Sequence, residues 1–432
     1  MLWKINNPAL KDRVLNPLEN KNMKTASVFY NCNLVLPASI VPGSVLVNDG
    51  IIKAITIAEN MPAPFPAGWS QNNPEIIDCE GNYLAPGFID IHNHGRQGCD
   101  AMDGTAASME TIARDQADHG VTGFLAGTSS IPWEKSLEAI RFLANYCKEE
   151  TKRQDLPETG CNPVKGARCL GIYSEGSFFS MEKRGAHHPE YLKTELTKDD
   201  LYVLADTAGE ALKVIALSPE LPGAEEWIRF FRDRGVVVAA AHSNAAYEDT
   251  ISAVDAGITL ATHTFNGMRS LSHQEPGILG AVLDDKRVCC ELIADFVHLA
   301  PVILSLVYKL KGPDRIILIS DSVIAGGLPD GRYEKNGYTV IVKEGVIRME
   351  DGRLSGSSLS LDRAVRNMAN IAGLCHAVRA ASLNPARILG LDSQKGSIEP
   401  GKDADLVIFD ENVKIKNVFF AGRFFLSEKH QV

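Results

Sequence analysis

Hydrophobic and polar positions alternate along this chain on two different scales. From Ser27 to about Leu84 the apolar runs are short and separated by turn residues. Ser44-Val45-Leu46-Val47-Asn48 is followed by Asp49-Gly50 and then by Ile51-Ile52-Lys53-Ala54-Ile55. Asp-Gly between two such runs predicts a β-hairpin. The far C-terminus repeats the pattern: Ala404 to Phe409 is apolar, and Val418 to Leu426 predicts more strand around Ala421-Gly422. Both ends therefore read as short-strand β, which predicts one small β-sandwich built from residues 26–84 and 393–432. Residues 1–25 are polar and mixed in charge, and read as a tail or an appended helix.

The middle, residues 85–392, is organised differently. Its eight apolar, strand-like runs are Tyr83–His94, Val121–Thr128, Arg168–Glu175, Leu212–Glu220, Val236–His242, Ile258–Asn266, Cys289–His298 and Arg315–Asp321. Most end in polar or charged residues. Helical stretches such as Ser136–Glu149 and Lys198–Ala208 lie between them. Strand then helix, eight times over, is the signature of an α/β fold of the (β/α)8 TIM-like barrel type. Gly337–Arg348 reads as an inserted hairpin, and Leu361–Leu374 and Ala377–Leu389 as closing helices.

Composition narrows the partners. The 432 residues are 45% hydrophobic and 23% charged, which excludes a disordered chain or a disulfide mini-scaffold. The net charge of -10, with no basic run, gives no help in binding nucleic acid. Nine cysteines, an odd number without a C-x-x-C, read as reduced thiols in a cytoplasmic protein. The N-terminus lacks the apolar core of a signal peptide, and no stretch approaches 18 apolar residues, so no membrane span is expected.

Chemistry collects at strand ends. Of eleven histidines, His92, His94, His242, His263 and His298 lie at or next to the C-terminal end of a run, as do Glu175 and Asp321. That face carries the active site of a barrel. Glu175, His242 and His263 can meet as one carboxylate and two imidazoles, a set that holds a divalent ion, zinc first, with Fe²⁺, Co²⁺ and Mn²⁺ as alternatives. Such an ion acidifies water and polarises a carbonyl. Asp321 is placed either as a general base that returns its proton to a leaving amine or as a helix N-cap. His298 can donate a hydrogen bond to a carbonyl or oxyanion. His92 and His94, on one side of a strand, either hold a second ion or are vestigial.

Pro86-Gly87-Phe88-Ile89-Asp90-Ile91-His92-Asn93-His94-Gly95 resembles the opening strand of the amidohydrolase superfamily. Further motifs follow in order: Leu170–Gly176, Lys183-Arg184-Gly185-Ala186-His187, Ala241–Ala245, Ala261–Asn266, Glu275-Pro276-Gly277, Ile293–His298, Ser320-Asp321 and Leu354–Leu359. Together, over roughly residues 40–425, they resemble the N-acetylglucosamine-6-phosphate deacetylases of that superfamily. The resemblance implies a distorted (β/α)8 barrel with a β-sandwich from both termini, and hydrolysis of the acetamide of an N-acetylated amino-sugar 6-phosphate. It implies Glu175, His242 and His263 as metal ligands, Asp321 as base and then acid, and His298 on the carbonyl. His187, Asn266 and the backbone at Gly267 would contact the sugar phosphate. It also implies a homodimer and one or two ions per subunit. Lys213, at the wrong end of the fourth strand to bridge two metals, reads as structural.

The resemblance has gaps in the substrate shell. The family usually carries Arg just before Glu-Pro-Gly, where it pairs with the phosphate; here Gln274 has no charge to offer. Arg269, His273 and Lys183-Arg184 are the candidate replacements. Tyr173 and Ser174 stand where His-Leu is usual, Ser177 where Pro is, and Phe296 where Gly is. Two further readings follow: the same reaction on N-acetylgalactosamine 6-phosphate or an unphosphorylated N-acetyl sugar, and a non-catalytic binding protein on the same fold.

Overall fold

Eight strands, numbered β1 to β8, form one all-parallel sheet in sequence order. They are β1 (Phe88–Asn93), β2 (Val121–Gly127), β3 (Arg168–Ser174), β4 (Leu212–Leu217), β5 (Val237–Ala240), β6 (Ile258–Ala261), β7 (Cys289–Leu292) and β8 (Ile316–Leu318). The computed structural model describes residues 26–59, 74–155, 165–195, 197–335 and 337–425. The tail expected at 1–25, Cys161 and Leu426 fall outside them. Each strand is one of the eight expected runs, and β1 and β2 are buried at every position. A strand covered on both faces, by side chains inside the barrel and helices outside, has no polar side to show.

The barrel closes at its C-terminal rim. Asn93 bridges Ser322, the Asp321 amide donates to His92 O at 2.9 Å, and the His94 amide to Ser322 O at 2.8 Å. Buried Asp90 of β1 reinforces the seam by accepting from Ser320 Oγ at 2.6 Å and from Gln116 Nε2 at 2.9 Å. His92 and Asp321, at opposite ends of the strand order, are thereby neighbours. The outer helices follow ordinary amphipathic logic. In Ala224–Arg232 the buried residues Ala224, Trp227, Ile228 and Phe231 share one face, with Glu225 and Glu226 in the first turn and Arg229 and Arg232 in the last.

Three expectations are refined. The run Tyr83–His94 is two strands, because Tyr83–Pro86 leaves the barrel to pair with Leu406–Phe409 and with Asn33 and Leu34. Gly87 marks the switch: a Cβ there would lie 2.3 Å from the Thr122 side chain. The stretch Ala377–Leu389 is broken at Ser382, just ahead of Pro385, into Leu374–Ala381 and Leu383–Ile388. The inserted hairpin is a three-stranded sheet (Gly331–Lys335, Tyr338–Lys343, Val346–Met349) with its own small core of Val323, Val340, Val342 and Ile347.

Strands from both termini share the second sheet. Ile40–Asn48 and Ile51–Ile57 pair through a two-residue turn, Asp49 at φ 51° and Gly50 at φ 75°, as Asp-Gly dictates. Phe29 touches Phe419 with ring centroids 4.8 Å apart, although two strands separate theirs in the ladder. Three spacings of about 4.8 Å each would part them in a flat sheet. The sheet is therefore rolled over its own core of Phe29, Leu34, Val45, Ile52, Leu84, Leu406 and Ile408.

Asp405 ties this sheet to the barrel. It accepts from Lys395 Nζ at 2.6 Å and from the Ala421 amide at 2.8 Å, and Arg168 of β3 lies 3.8 Å away. Burial alone would raise its carboxyl, but the Lys395 and Arg168 charges and these hydrogen bonds outweigh it and lower the pKa. A lowered carboxylate stabilises the fold above its unfolded pKa and loses that contribution as pH falls through the folded value. Asp405→Asn is expected to cost about 3 kcal/mol at pH 7, the lower end for a broken buried pair because Lys395 keeps Asp403. Denaturant midpoints should show the gap to wild type shrinking below about pH 4.

Candidate metal centre

The rim residues converge into two groups. Glu175, just past β3, meets His242 and His263, just past β5 and β6; His92 and His94 meet Asp321. All six are buried. In the first group the His242 and His263 Nε2 atoms are 3.2 Å apart, and Glu175 Oε1 lies 3.4 Å and 3.1 Å from them. In the second, the His92 and His94 Nε2 atoms are 3.1 Å apart, with Asp321 Oδ1 at 3.7 Å and 3.4 Å. Glu175 Oε2 completes that second group, 3.5 Å and 3.2 Å from the same two nitrogens. One carboxylate thus turns one oxygen to each pair of imidazoles.

Local backbone geometry aims these side chains. His242, His263 and Asp321 all have positive φ, at 45°, 27° and 47°. Such a turn costs a non-glycine residue roughly 1–2 kcal/mol, and it ends each strand by swinging the next side chain over the mouth. Glycine frames the His242 ring: a Cβ on Gly267 would come within 2.5 Å of it, and one on Gly185 within 2.9 Å. Glu175 is held by Thr128 Oγ1, which donates to its carbonyl at 2.8 Å and accepts from its amide at 3.0 Å.

The donor set fits a divalent ion. Ligand atoms about 2.0–2.1 Å from a tetrahedral ion stand roughly 3.3 Å from one another, close to the three edges of the Glu175–His242–His263 group. Hydrogen bonds fix the tautomers for that role. His242 Nδ1 donates to Lys183 O at 2.8 Å, which leaves Nε2 of the neutral ring with its lone pair toward the centre. His92 Nδ1 points at Glu291 Oε2 at 3.0 Å, with the same result.

A bound ion would take the place of protons: burial opposes protonation of the rings, but the Glu175, Glu291 and Asp321 carboxylates outweigh it and push His92, His94 and His263 above the ordinary histidine value. Burial opposes the Glu175 charge, yet the His92 charge and the bonds from His242 and His263 prevail and hold the carboxyl well below the usual range. Asp321 behaves alike: burial raises it, the His94 bond and the His92 and His263 charges lower it further, and it stays ionised.

Other sequence-singled residues lie around this core. His187 packs edge-on against His242 at 4.6 Å and takes Ser130 Oγ at 3.0 Å; burial first, and the neighbouring histidine cluster after it, push its ring well below the usual value, so it is neutral. His298 stands off the cluster, its Nδ1 on Asp295 Oδ2 at 2.7 Å. Asn266 Nδ2 donates to His263 O at 3.1 Å. Arg269 pairs with Glu275, while Gln274 is exposed on the same loop. Lys213 is at the far end of β4 from the mouth.

Two supports are absent from the sequence reading, and a third, Tyr173, stands there only as a departure from the family pattern. Glu291 is a fully buried glutamate inside apolar β7, and that oddity was its only signal. The Lys183 carbonyl gives none, being backbone. Tyr173 stacks on His92 at 4.4 Å and bonds Thr262 at 2.7 Å, so the usual His is replaced by a ring that braces a ligand.

A barrel whose C-terminal rim gathers His-x-His, a glutamate, two more histidines and an aspartate has the ligand set that a metal-assisted hydrolase uses. Residues 83–425 match the amidohydrolase family, and the chain belongs to it. It is 37% identical over 377 residues to an N-acetylgalactosamine-6-phosphate deacetylase of Escherichia coli O157:H7, covering 87% of this chain and 92% of that one. It is likewise 37% identical over 342 residues to the N-acetylglucosamine-6-phosphate deacetylase of Vibrio furnissii, covering 79% and 82%. Among solved structures, an N-acetyl-D-glucosamine-6-phosphate deacetylase variant from Mycobacterium smegmatis, in complex with N-acetyl-D-glucosamine-6-phosphate, superposes with a TM-score of 0.82. It is 28% identical over 93% of this chain and all of that one.

Proposed function

We propose that this chain hydrolyses the acetamide of N-acetylglucosamine 6-phosphate to glucosamine 6-phosphate and acetate. The observation that carries the reading is the convergence of ionised Asp321 with the Glu175–His242–His263 group at one mouth. The relatives' activities support the substrate class. Glu175, His242, His263, His92, His94 and Asp321 would hold two divalent ions, zinc by preference, which would supply Lewis-acid polarisation of the acyl carbonyl and a lower pKa for water.

The side chains then divide the work. Asp321 takes the proton of the attacking water and returns it to the leaving nitrogen. Asp295 accepts from Nδ1 and orients the His298 ring, so that as an imidazolium it has Nε2–H left to donate to the acyl oxygen, whose negative charge grows as the carbonyl becomes tetrahedral. Neutral His187, Asn266 and the backbone at Gly267 line the sugar side. A cytoplasmic homodimer completes the proposal. Val302, Leu306 and Leu310, exposed on one face of the helix Pro301–Lys311 that follows the His298 loop, support self-association. Sedimentation should give a species of twice the 46.9 kDa chain mass.

A second reading has its own support. Gln274 in place of the usual Arg, with the identity to the galactosamine-type enzyme, favours N-acetylgalactosamine 6-phosphate. Steady-state comparison of both 6-phosphates with unphosphorylated N-acetylglucosamine separates the cases. The phosphorylated glucosamine form is expected to lead the unphosphorylated one by 100-fold or more in kcat/KM, about 3 kcal/mol. Equal values would remove the phosphate from the account, and a lead by the galactosamine epimer would establish the second reading. Arg269→Ala should raise KM about tenfold at nearly constant kcat if Arg269 leaves Glu275 for the phosphate.

A further inference from the structure

Glu291 has no place in the reaction just described, yet it touches both ligand groups. Its Oε2 accepts from His92 Nδ1 at 3.0 Å and from the His263 amide at 3.1 Å. The side chain is fully buried in the middle of Cys289-Cys290-Glu291-Leu292, and Oε1 has no hydrogen-bond partner among the described residues. A buried carboxylate is expensive to keep unless its charge is used. Here it is used on an imidazole whose far nitrogen faces Glu175 and His94. Accepting the Nδ1 proton fixes the ring's tautomer and makes Nε2 more basic. Tyr173, stacked on the other side of the same ring, leaves His92 one orientation.

We propose that Glu291 is the positioning residue of the His92–His94–Asp321 group, making it a working second ion site, and that its bond to the His263 amide ties this site to the first. The proposal rests on the two-ion reading above. Of the two histidine ligands in that group, only His92 is held this way, since His94 Nδ1 is buried and has no partner among the described residues. Loss of the Glu291 charge should therefore weaken one ion and spare the other.

The test is a metal titration of stripped wild type and Glu291→Gln with Zn²⁺ alone, counting ions per chain after gel filtration. Wild type is expected to hold two, and Glu291→Gln one tightly with the second weakened about 10–100-fold. His92→Asn should reproduce that loss, and the double variant should add nothing to it. Collapse of the barrel would release both ions, so retention of the first separates positioning from damage. If Glu291→Gln does not fold, Glu291→Asp takes its place, with a smaller loss of the same ion expected. A second ion bound within twofold of wild type overturns the proposal. So does a wild type that binds only one ion, in which case acetate release by the one-ion form still decides the deacetylase reading.

Discussion

Asp321→Asn is expected to lower kcat by roughly 10³-fold or more, because one carboxylate serves as base in the first half of the reaction and as acid in the second. The asparagine can do neither. Its backbone should stay in place, since the Asp321 amide is held by His92 O and its carbonyl by the Ser357 amide, at 2.9 Å and 2.8 Å. Asp321 also belongs to the second ligand group, so ion content must be measured beside the rate. His92→Asn supplies the control: it disturbs the same ion and keeps the base. Asp321→Asn must be the slower of the two. Similar rates for both would mean that Asp321 acts only as a ligand.

The second large effect belongs to Glu175→Gln. Among the six ligand side chains Glu175 turns one oxygen to each group, with Oε1 toward His242 and His263 and Oε2 toward His92 and His94. The amide keeps the shape but loses the charge and turns an N–H₂ donor toward one pair of imidazole lone pairs. Affinity for both ions should fall by more than the roughly 10–100-fold that follows from losing a residue which only supports a ligand. Activity should fall with it and return only in part at high Zn²⁺. Two ions bound per chain at wild-type affinity would contradict the bridging role.

Much of this was legible in the sequence, for physical reasons. Burial of a parallel strand on both faces writes it as an apolar run, so eight such runs announced the barrel, and the polar residue ending each marked the rim. The Asp49-Gly50 hairpin was readable because few dipeptides tolerate two positive φ angles. What was not legible depends on the third dimension. The split of Tyr83–His94 at Gly87 needs the approach of Thr122, which no local pattern encodes. The left-handed turns at His242, His263 and Asp321 are imposed by the closed barrel against local preference. Glu291 could have been noticed as a charge in an apolar strand, but its partner is 199 residues away. The cations at the sugar-phosphate end stayed ambiguous in the sequence, and in the structure Arg269 is engaged by Glu275.

The most direct test is acetate release from N-acetylglucosamine 6-phosphate by protein stripped of metal and then given back Zn²⁺. The account predicts one acetate and one free amine per substrate consumed, activity that vanishes on stripping and returns with the ion, and a rate lower by roughly 10³-fold or more in Asp321→Asn. Failure of the reloaded wild-type protein to release acetate from either amino-sugar 6-phosphate would contradict it.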